Sequence, residues 1–418
     1  MDGGAQRRSV GPRYDAETVV RELDAFLDDV VVPLESEHAD LLRDPGRRFD
    51  SLGIRATALV DLERQVRTRA AGAGLYGLMV PAELGGRELD PFCQYVVWEH
   101  LYARSGPDRP LPYEAIGRFT SGPGAALRGM SPAVRTEIWP TILSGEQLLC
   151  FALSESGTSG TPTVRTRATP VPGGFRITGT KRWVSRGGYA DFALVYAVVS
   201  SASSEGHAAC VSRSEESPTA FLIRLDEPGV RLVGPTRILG RTGGDEVTLD
   251  FDCVELPSDR VVGELHGGDA VARSGSLATT MFTAGRFLGL ARWALERTRA
   301  VIGRGEAVMD TIESEELLAD ATAEWRKLDF LARRGAHAVS SEDRPSTARL
   351  VQALAPSMCG RAYETAMRVE GAEALTNGAR LFDGWHQAMI VRVAQARMES
   401  IARELEGRLR RRSSQAGR

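Results

Sequence analysis

The chain has 418 residues, 26% of them charged, and its formal net charge of −3 excludes a general electrostatic attraction to nucleic acid or to an acidic membrane surface. Its five cysteines are odd in number and form no CxxC pair, so we predict no metal site and no disulfide framework and expect a reducing, cytoplasmic location. No run approaches the roughly 18 apolar residues of a membrane-spanning helix, and the N-terminal residues lack the apolar core of a signal peptide.

A helical N-terminal domain is predicted for residues 13–147. From Val19 to Val30, apolar residues recur on one helical stripe. Two further helices are expected over 59–75 and 91–106, separated by segments rich in Pro and Gly such as VPAELGG.

A β-barrel-like middle domain is predicted for residues 148–263. Short β-branched runs bounded by Gly, Pro and Asp indicate strands of one sheet or barrel, at GFRITGTKRWVSRG, DFALVYAVV, TAFLIRL, GVRLVG and DEVTLDFDCVELP. Residues 200–217 hold few large apolar side chains and are predicted to form a mobile loop between strands.

A C-terminal four-helix bundle is predicted for residues 264–406. Long segments with helical apolar spacing follow Val271 without a strict heptad repeat, which is typical of an antiparallel bundle. Asp310 followed by Glu313 has the spacing of a helix-capping box. The chain is therefore predicted to be an α+β multidomain protein, helical at both ends, with frayed tails over residues 1–12 and 407–418.

Four motifs occur in the order and at the separations known from one enzyme family. They are GLYGLMVPAELGGREL, LLCFALSESGTSG, GFRITGTKRWVSRGGYADFALVYA and LDFDCVELPSDRVVGE. The chain resembles the acyl-CoA dehydrogenase superfamily over nearly its whole length. The resemblance implies the three-domain fold above, FAD as cofactor, and an acyl-CoA or acyl carrier protein thioester as substrate. It also implies assembly into a homo-oligomer or pairing with a homologous subunit, whereas the expectation of no membrane partner comes from the net charge and the lack of a long apolar run.

The resemblance assigns flavin-binding positions to the second and third motifs. Ser154 stands at the superfamily's threonine position and Ser185 at a second hydroxyl position. Trp183 stands where an aromatic side chain lies against the isoalloxazine ring, which an indole can stack on. Phe151 and Leu153 belong to the same predicted FAD-binding segment.

Three further binding positions follow from the same resemblance. Arg304 lies one residue from the position of an arginine that holds the FAD pyrophosphate. Arg286 matches an arginine near the substrate, and Gly160 replaces a serine at the substrate end of the second motif. All three are predicted contacts of cofactor or substrate.

The catalytic base is missing from the positions where the superfamily carries it. A dehydrogenase of this type removes the α-proton of the thioester with a carboxylate. Counting back from IARE places Val391 at the usual base position, and Gly285 occupies the alternative position. The remaining candidates for a relocated base are Glu155, Asp383 and His386, although Glu155 is also suited to accept hydrogen bonds within its turn.

Three functions are consistent with these motifs. The first is an FAD-dependent oxidoreductase that acts on an acyl thioester with a relocated base. The second is a flavin-dependent monooxygenase, which needs no α-proton base and in which His386 is the residue of interest. The third is a subunit without a base that pairs with a homologous chain in a heteromeric acyl-CoA dehydrogenase.

Overall fold

The computed structural model describes residues 14–44, 46–117, 126–157, 164–200, 217–239, 243–274, 276–338, 346–376 and 380–394. The α-helices are α1 Ala16–Phe26, α2 Val32–Glu37, α3 Ala39–Arg43, α4 Thr57–Gly72, α5 Pro91–Ser105, α6 Pro132–Leu143, α7 Gly268–Ser274, α8 Ser276–Gly303, α9 Thr311–Ala338, α10 Ser346–Glu370 and α11 Leu381–Ala394. The strands are β1 Leu149–Ala152, β2 Arg167–Val171, β3 Gly174–Ser185, β4 Phe192–Val199, β5 Thr219–Arg224, β6 Val230–Pro235, β7 Glu246–Pro257 and β8 Val261–Val262.

The helix and strand segments predicted from periodicity are confirmed with small shifts at their ends. The first predicted helix is interrupted, because α1 continues into a π-helical turn at Leu27–Val31 before α2. The cap at Asp310 is confirmed, since its Oδ1 accepts from Ile312 N at 2.9 Å and from Glu313 N at 3.4 Å. Of the loop predicted over 200–217, residues 201–216 lie outside the described residues, as do the two tails.

Two compact units divide the chain, and each draws on segments that are distant in sequence. The helical unit combines segments of Met1–Leu23, Leu89–Arg109 and Ala278–Arg418. The β unit combines Asp24–Glu88 with Pro110–Leu277. The three predicted domains, 13–147, 148–263 and 264–406, are continuous in sequence, unlike these two units. This division into three domains stays a prediction.

The β unit is organised by one sheet with strand order β6-β7-β3-β2-β4-β5-β8, and β1 pairs with β4 off this path. β3 and β7 are the longest pair and run antiparallel, whereas β1 runs parallel to β4. β4 is apolar and buried for its first six residues, as expected for a central strand covered on both faces. Its side chains pack with Ile177, Phe221 and Leu249 in the core of this unit.

The helical unit contains α5 and the long helices α8 to α11. α5 begins with Asp90, whose Oδ1 accepts from Phe92 N at 2.9 Å and Cys93 N at 3.0 Å, and Pro91 occupies the first helical position. Its buried face carries large aromatic residues, including Tyr95 and Trp98. Among the described helices, none is both long and apolar enough to span a bilayer.

Candidate functional site

The turn after β1 is built around the buried carboxylate of Glu155. Its Oε1 accepts from Lys181 Nζ and Thr166 Oγ1, both at 2.7 Å, and from Thr166 N at 3.0 Å. Its Oε2 accepts from Arg165 N at 2.8 Å. Burial opposes the charged form, but the hydrogen bonds from Lys181 and Thr166 outweigh burial, and the pKa of Glu155 is lowered. A carboxylate used in this way favours the structural role over that of a proton acceptor.

The end of β3 contains a β-bulge. Between the pairs Lys181↔Leu249 and Val184↔Val247, β3 has one residue more than β7. Trp183 lies in this bulge with a φ of +59°, in the left-handed region that bulky residues rarely adopt. The indole is 50% exposed. The bulge therefore presents a large aromatic ring on a backbone that needs support from its surroundings.

The turn after β1 and the end of β3 are joined by hydrogen bonds. Arg182 N donates to Ser154 O at 2.8 Å, and Lys181 Nζ donates to Leu153 O at 3.3 Å. Ser154 is half-buried, whereas Ser185 is exposed at the last position of β3. The structure thus brings together on the β unit the residues predicted to bind flavin: Phe151, Leu153, Ser154, Trp183 and Ser185.

Gly160 and Arg304 are two further predicted binding residues. Gly160 falls within 158–163, outside the described residues. Arg304 belongs to the helical unit, follows α8 and is exposed. Its Nε donates to Glu306 Oε2 at 2.8 Å, so its guanidinium already has an anionic partner. Pyrophosphate binding by Arg304 stays a prediction.

Arg286 lies on α8 between aromatic rings. Its Cζ is 5.7 Å from the Tyr102 ring centroid and 5.2 Å from that of Phe287. Its Nη2 donates to Gln387 Oε1 at 2.8 Å, which ties α8 to α11. Within the described residues, its buried Nε has no hydrogen-bond partner. A guanidinium with a donor to spare suits a carbonyl or anionic group, so the predicted substrate contact is physically reasonable.

Helix α8 packs against α5 at Gly285 without room for a side chain. A Cβ at this position would lie 2.6 Å from Trp98 Cβ and 3.0 Å from both Glu99 N and Tyr95 O. Two of these three atoms belong to the backbone of α5, which cannot move aside as a flexible side chain can. Gly285 is therefore a packing residue between two helices.

Helix α11 carries the other candidate residues for proton transfer. Asp383, His386 and Val391 are all half-buried. The His386 ring stacks on Phe382, with centroids 5.6 Å apart and planes at 14°. Asp383 and His386 both have interaction partners in the structure. A histidine held against an aromatic ring fits a helix-face role as well as a catalytic one.

Comparison with known proteins identifies the relationship. Residues 150–254 match the family model described as the acyl-CoA dehydrogenase middle domain. The mitochondrial very long-chain specific acyl-CoA dehydrogenase of Macaca fascicularis is 27% identical over 350 residues, which cover 81% of this chain and 50% of that protein. The chain is therefore similar to acyl-CoA dehydrogenases over most of its length, and the family match itself covers the middle of the chain. It spans about half the length of the first curated relatives that it matches.

Solved structures of the superfamily share the α+β multidomain fold. A glutaryl-CoA dehydrogenase from Mycobacterium smegmatis in complex with FADH2 superposes with a TM-score of 0.70 at 19% identity, covering 91% of this chain and 90% of that one. The ChsE4-ChsE5 complex from Mycobacterium tuberculosis gives a TM-score of 0.68 at 20% identity, covering 94% of this chain and 96% of that one.

The two positions predicted for the catalytic base, Gly285 and Val391, carry no acid. Gly285 offers no acid, and its contact with α5 leaves no space for one. Val391, at the other predicted position, carries an aliphatic side chain that cannot accept a proton. Removal of an α-proton would therefore need a group outside these two positions.

Glu99 on α5 is a buried acid outside the set of predicted site residues. Its Oε1 lies 2.8 Å from Arg292 Nε on α8. Burial raises the pKa of Glu99 to about 7, against the opposing attraction of Arg292. In the unfolded chain the value is close to the ordinary 4.5. Between pH 4.5 and about 7, the carboxyl group of Glu99 is therefore protonated in the folded chain and ionised in the unfolded chain.

The expected result is a loss of stability as the pH rises from about 4.5 to about 7, because folding then takes up a proton that becomes scarcer. Glu99→Gln cannot titrate at this position, so its stability should lack this pH dependence. The difference in free energy of unfolding, wild type minus variant, should therefore fall by roughly 3 kcal/mol between pH 4.5 and about pH 7. Urea denaturation at several pH values measures it. Glu296→Gln is the control, since that exposed carboxylate lies 4.0 Å from the same Arg292. A wild-type-to-E99Q difference that stays constant with pH would contradict the expectation.

A group of buried and half-buried charges in the β unit was not predicted from the sequence. It consists of three arginines and three acids: Arg55, Glu63, Arg67, Glu114, Arg186 and Asp245. Pairing is direct, for example between Arg55 Nε and Asp245 Oδ1 at 2.5 Å. These two residues are 190 positions apart in the chain. We call this group the arginine clamp. Its only local signal is the four-residue spacing of Glu63 and Arg67 on α4.

Proposed function

We propose that the chain binds FAD on its β unit and acts as an oxidoreductase on an acyl thioester of coenzyme A or an acyl carrier protein. The observation that carries the proposal is the half-exposed indole of Trp183 in the left-handed bulge of β3. A flat three-ring system stacks well on an indole face. Backbone strain at a non-glycine residue is characteristic of ligand-binding positions.

The residues around Trp183 fit the polar edge of a flavin. Ser185 follows two residues later and is exposed, and Ser154 is brought to the same place by the bond from Arg182 N to Ser154 O. Hydroxyl groups and backbone amides are the donors that a flavin ring uses. The presence of FADH2 in the related glutaryl-CoA dehydrogenase supports this assignment. FAD, when bound, supplies the acceptor for two electrons, and the β unit would bind and orient its ring.

A second candidate function is a subunit without a base that pairs with a homologous chain. The packing of Gly285 against α5 favours it, because the alternative base position serves helix packing here. The ChsE4-ChsE5 complex, which has two named components, supports the possibility of a heteromeric assembly. In that case the chain would bind cofactor or substrate while the partner supplies the carboxylate.

The absorption spectrum of the chain purified alone, and again after FAD is added and excess is filtered away, tests the proposal. Bands near ~370 and ~450 nm are expected from a bound oxidised flavin. Anaerobic bleaching by acyl-CoA or by an acyl carrier protein thioester would support the oxidoreductase. Retained flavin with no bleaching would favour the subunit without a base, or a monooxygenase if a reductase and oxygen then gave turnover. A colourless protein that retains no FAD would overturn the proposal for the single chain.

Trp183→Ala is expected to weaken FAD binding at least about five-fold, since an aromatic contact contributes roughly 1 kcal/mol beyond the area it buries. Trp183→Phe is the matched variant, because it keeps an aromatic face at the same place and should restore most of the affinity. Titration with FAD, followed by quenching of the flavin's own fluorescence, measures the dissociation constants. Equal affinity in wild type and both variants would show that Trp183 is not a flavin contact.

A further inference from the structure

The backbone turns sharply just after the predicted flavin-binding residues, at Arg186. This residue has a φ of +67°, so it is the second left-handed residue within four positions after Trp183 at +59°. Its N–H donates to Asp245 O at 2.7 Å, and its carbonyl accepts from Ala190 N at 2.9 Å. A long side chain disfavours this backbone region, so the surroundings must hold the turn in place.

The side chain of Arg186 is the first of those supports. It is 8% exposed, and its Nη2 donates to Glu114 Oε1, whose residue is 2% exposed. Burial opposes the charged form, but the Glu114 carboxylate outweighs burial and the pKa of Arg186 is raised. Removing Glu114 would leave the buried Arg186 cation without its carboxylate partner.

Glu114 is in turn fixed by α4. Its Oε2 accepts from Arg67 Nη1 at 3.3 Å, and Arg67 Nε donates to Gly145 O at 3.1 Å. Arg67 is 1% exposed, so this contact is screened from solvent. The turn at Arg186 is thus attached through two buried side chains to a rigid helix.

A second connection reaches α4 from the other side of the turn. The backbone carbonyl of Asp245 accepts the hydrogen bond from Arg186 N. Its side chain accepts two more from Arg55, with Nε donating to Oδ1 at 2.5 Å and Nη2 to Oδ2 at 3.0 Å. Arg55 Nη1 also donates to Glu63, one helical turn before Arg67 on α4. The arginine clamp therefore holds the turn at its side chain and at its backbone.

We propose that Arg186 is a positioning residue, whose ion pair with Glu114 sets the turn and thereby the placement of Ser185 and Trp183 toward a bound flavin. The role of the flavin rests on the proposed function, whereas the placement of Trp183 does not. The clamp joins its arginines and acids through direct contacts, and it acts on the turn through this geometry.

Arg186→Ala removes the ion pair and replaces a held residue with one that disfavours the left-handed region. Arg186→Asn also removes the pair, but asparagine tolerates that region. We expect the first variant to displace Trp183 and the second to displace it less. Arg176→Ala is the matched control, since Arg176 lies on β3 and pairs with Glu255 at 2.6 Å but is solvent-exposed.

The experiment uses the full chain labelled with 5-fluorotryptophan, without added flavin. The ¹⁹F resonance of Trp183 is assigned from Trp183→Phe, and the other five tryptophans report on the fold. The expected result is a shifted or broadened Trp183 resonance in Arg186→Ala, a smaller change in Arg186→Asn, and none in Arg176→Ala. An unchanged Trp183 resonance in Arg186→Ala overturns the proposal. If that variant does not fold, an unchanged Trp183 resonance in the folded Arg186→Asn overturns it equally.

A second readout separates this proposal from the proposed function. FAD affinity is expected to fall about ten-fold in Arg186→Ala, in parallel with the resonance change, because the stacking surface is misplaced. If wild type binds no FAD while the Trp183 resonance still moves, the positioning role stands and the flavin assignment fails. If FAD binds and its affinity is equal in wild type and in Arg186→Ala, the positioning role fails while the flavin assignment stands.

Discussion

Replacing Gly285 with alanine is expected to lower the free energy of unfolding by roughly 1–3 kcal/mol through overpacking. Alanine is the better helix former, so the same change in an exposed helix would stabilise by roughly 1 kcal/mol. The sign reverses here because a Cβ would lie 2.6 Å from Trp98 Cβ and 3.0 Å from backbone atoms of α5. Urea denaturation followed by circular dichroism measures the change.

Gly303 supplies the matched control. It is the last residue of the same helix, and a Cβ there would meet no atom within 4 Å. Gly303→Ala should therefore be neutral or slightly stabilising. Equal effects of the two substitutions would show that α5 and α8 are packed less closely than described.

Glutamate at Gly285 should unfold the helical unit rather than create a base. Its side chain is larger than that of alanine, and it would bring an uncompensated charge into a buried contact. A folded Gly285→Glu variant that bleaches flavin with a thioester would refute this expectation. The absence of an acid at this position is thus built into the helix packing.

Glu155→Ala is expected to lower the free energy of unfolding by about 3–5 kcal/mol, the range for breaking one partner of a buried ion pair. Lys181, with no exposed surface, would be left as an unpaired buried cation. Arg165 N and Thr166 N would also lose their acceptor. The measurement is the denaturation midpoint and slope of the purified variant.

The double variant Glu155→Gln with Lys181→Met tests the cause. It removes both charges and keeps similar volumes, so it should be more stable than Glu155→Ala. Glu255→Gln breaks the exposed pair with Arg176 instead and should change stability by less than about 0.5 kcal/mol. A loss as large in Glu255→Gln as in Glu155→Ala would argue against burial as the source of the effect.

Much of the fold could be predicted because its signals are local. The β-branched runs of β3 to β7 and the long periodic segments of α8 to α10 matched the described elements. β2 and β8 were not identified, because RATPV contains a proline and a threonine in place of an apolar run and β8 has only two residues. Such strands are stabilised by the strands they pair with: β2 pairs with β3, and β8 pairs with β5.

The candidate site could be proposed from the sequence where a motif carries it, but the contacts between residues distant in the chain could not. Trp183 and Ser185 could be proposed as flavin contacts from the third motif. The β-bulge in β3, where this strand pairs with β7, could not be predicted. Arg186 and Glu114 are 72 residues apart, and nothing in either local sequence indicates the partner. The chain has only two lysines, so retention of a lysine at Lys181 among so many arginines was a signal that its environment is special.

Because the helical unit is assembled from segments that are distant in sequence, α5 is synthesised long before the helices it packs against. The helical unit needs α5, which leaves the ribosome early, and α8 to α11, which begin at Ser276. At about 5–20 residues per second, α5 must wait on the order of ten seconds or more for its packing partners. Until then its aromatic face, with Tyr95 and Trp98, has no completed core to enter. The nascent chain therefore exposes the apolar residues of α5 while the strands of the β unit are being synthesised. We expect a chaperone to bind this segment during that interval.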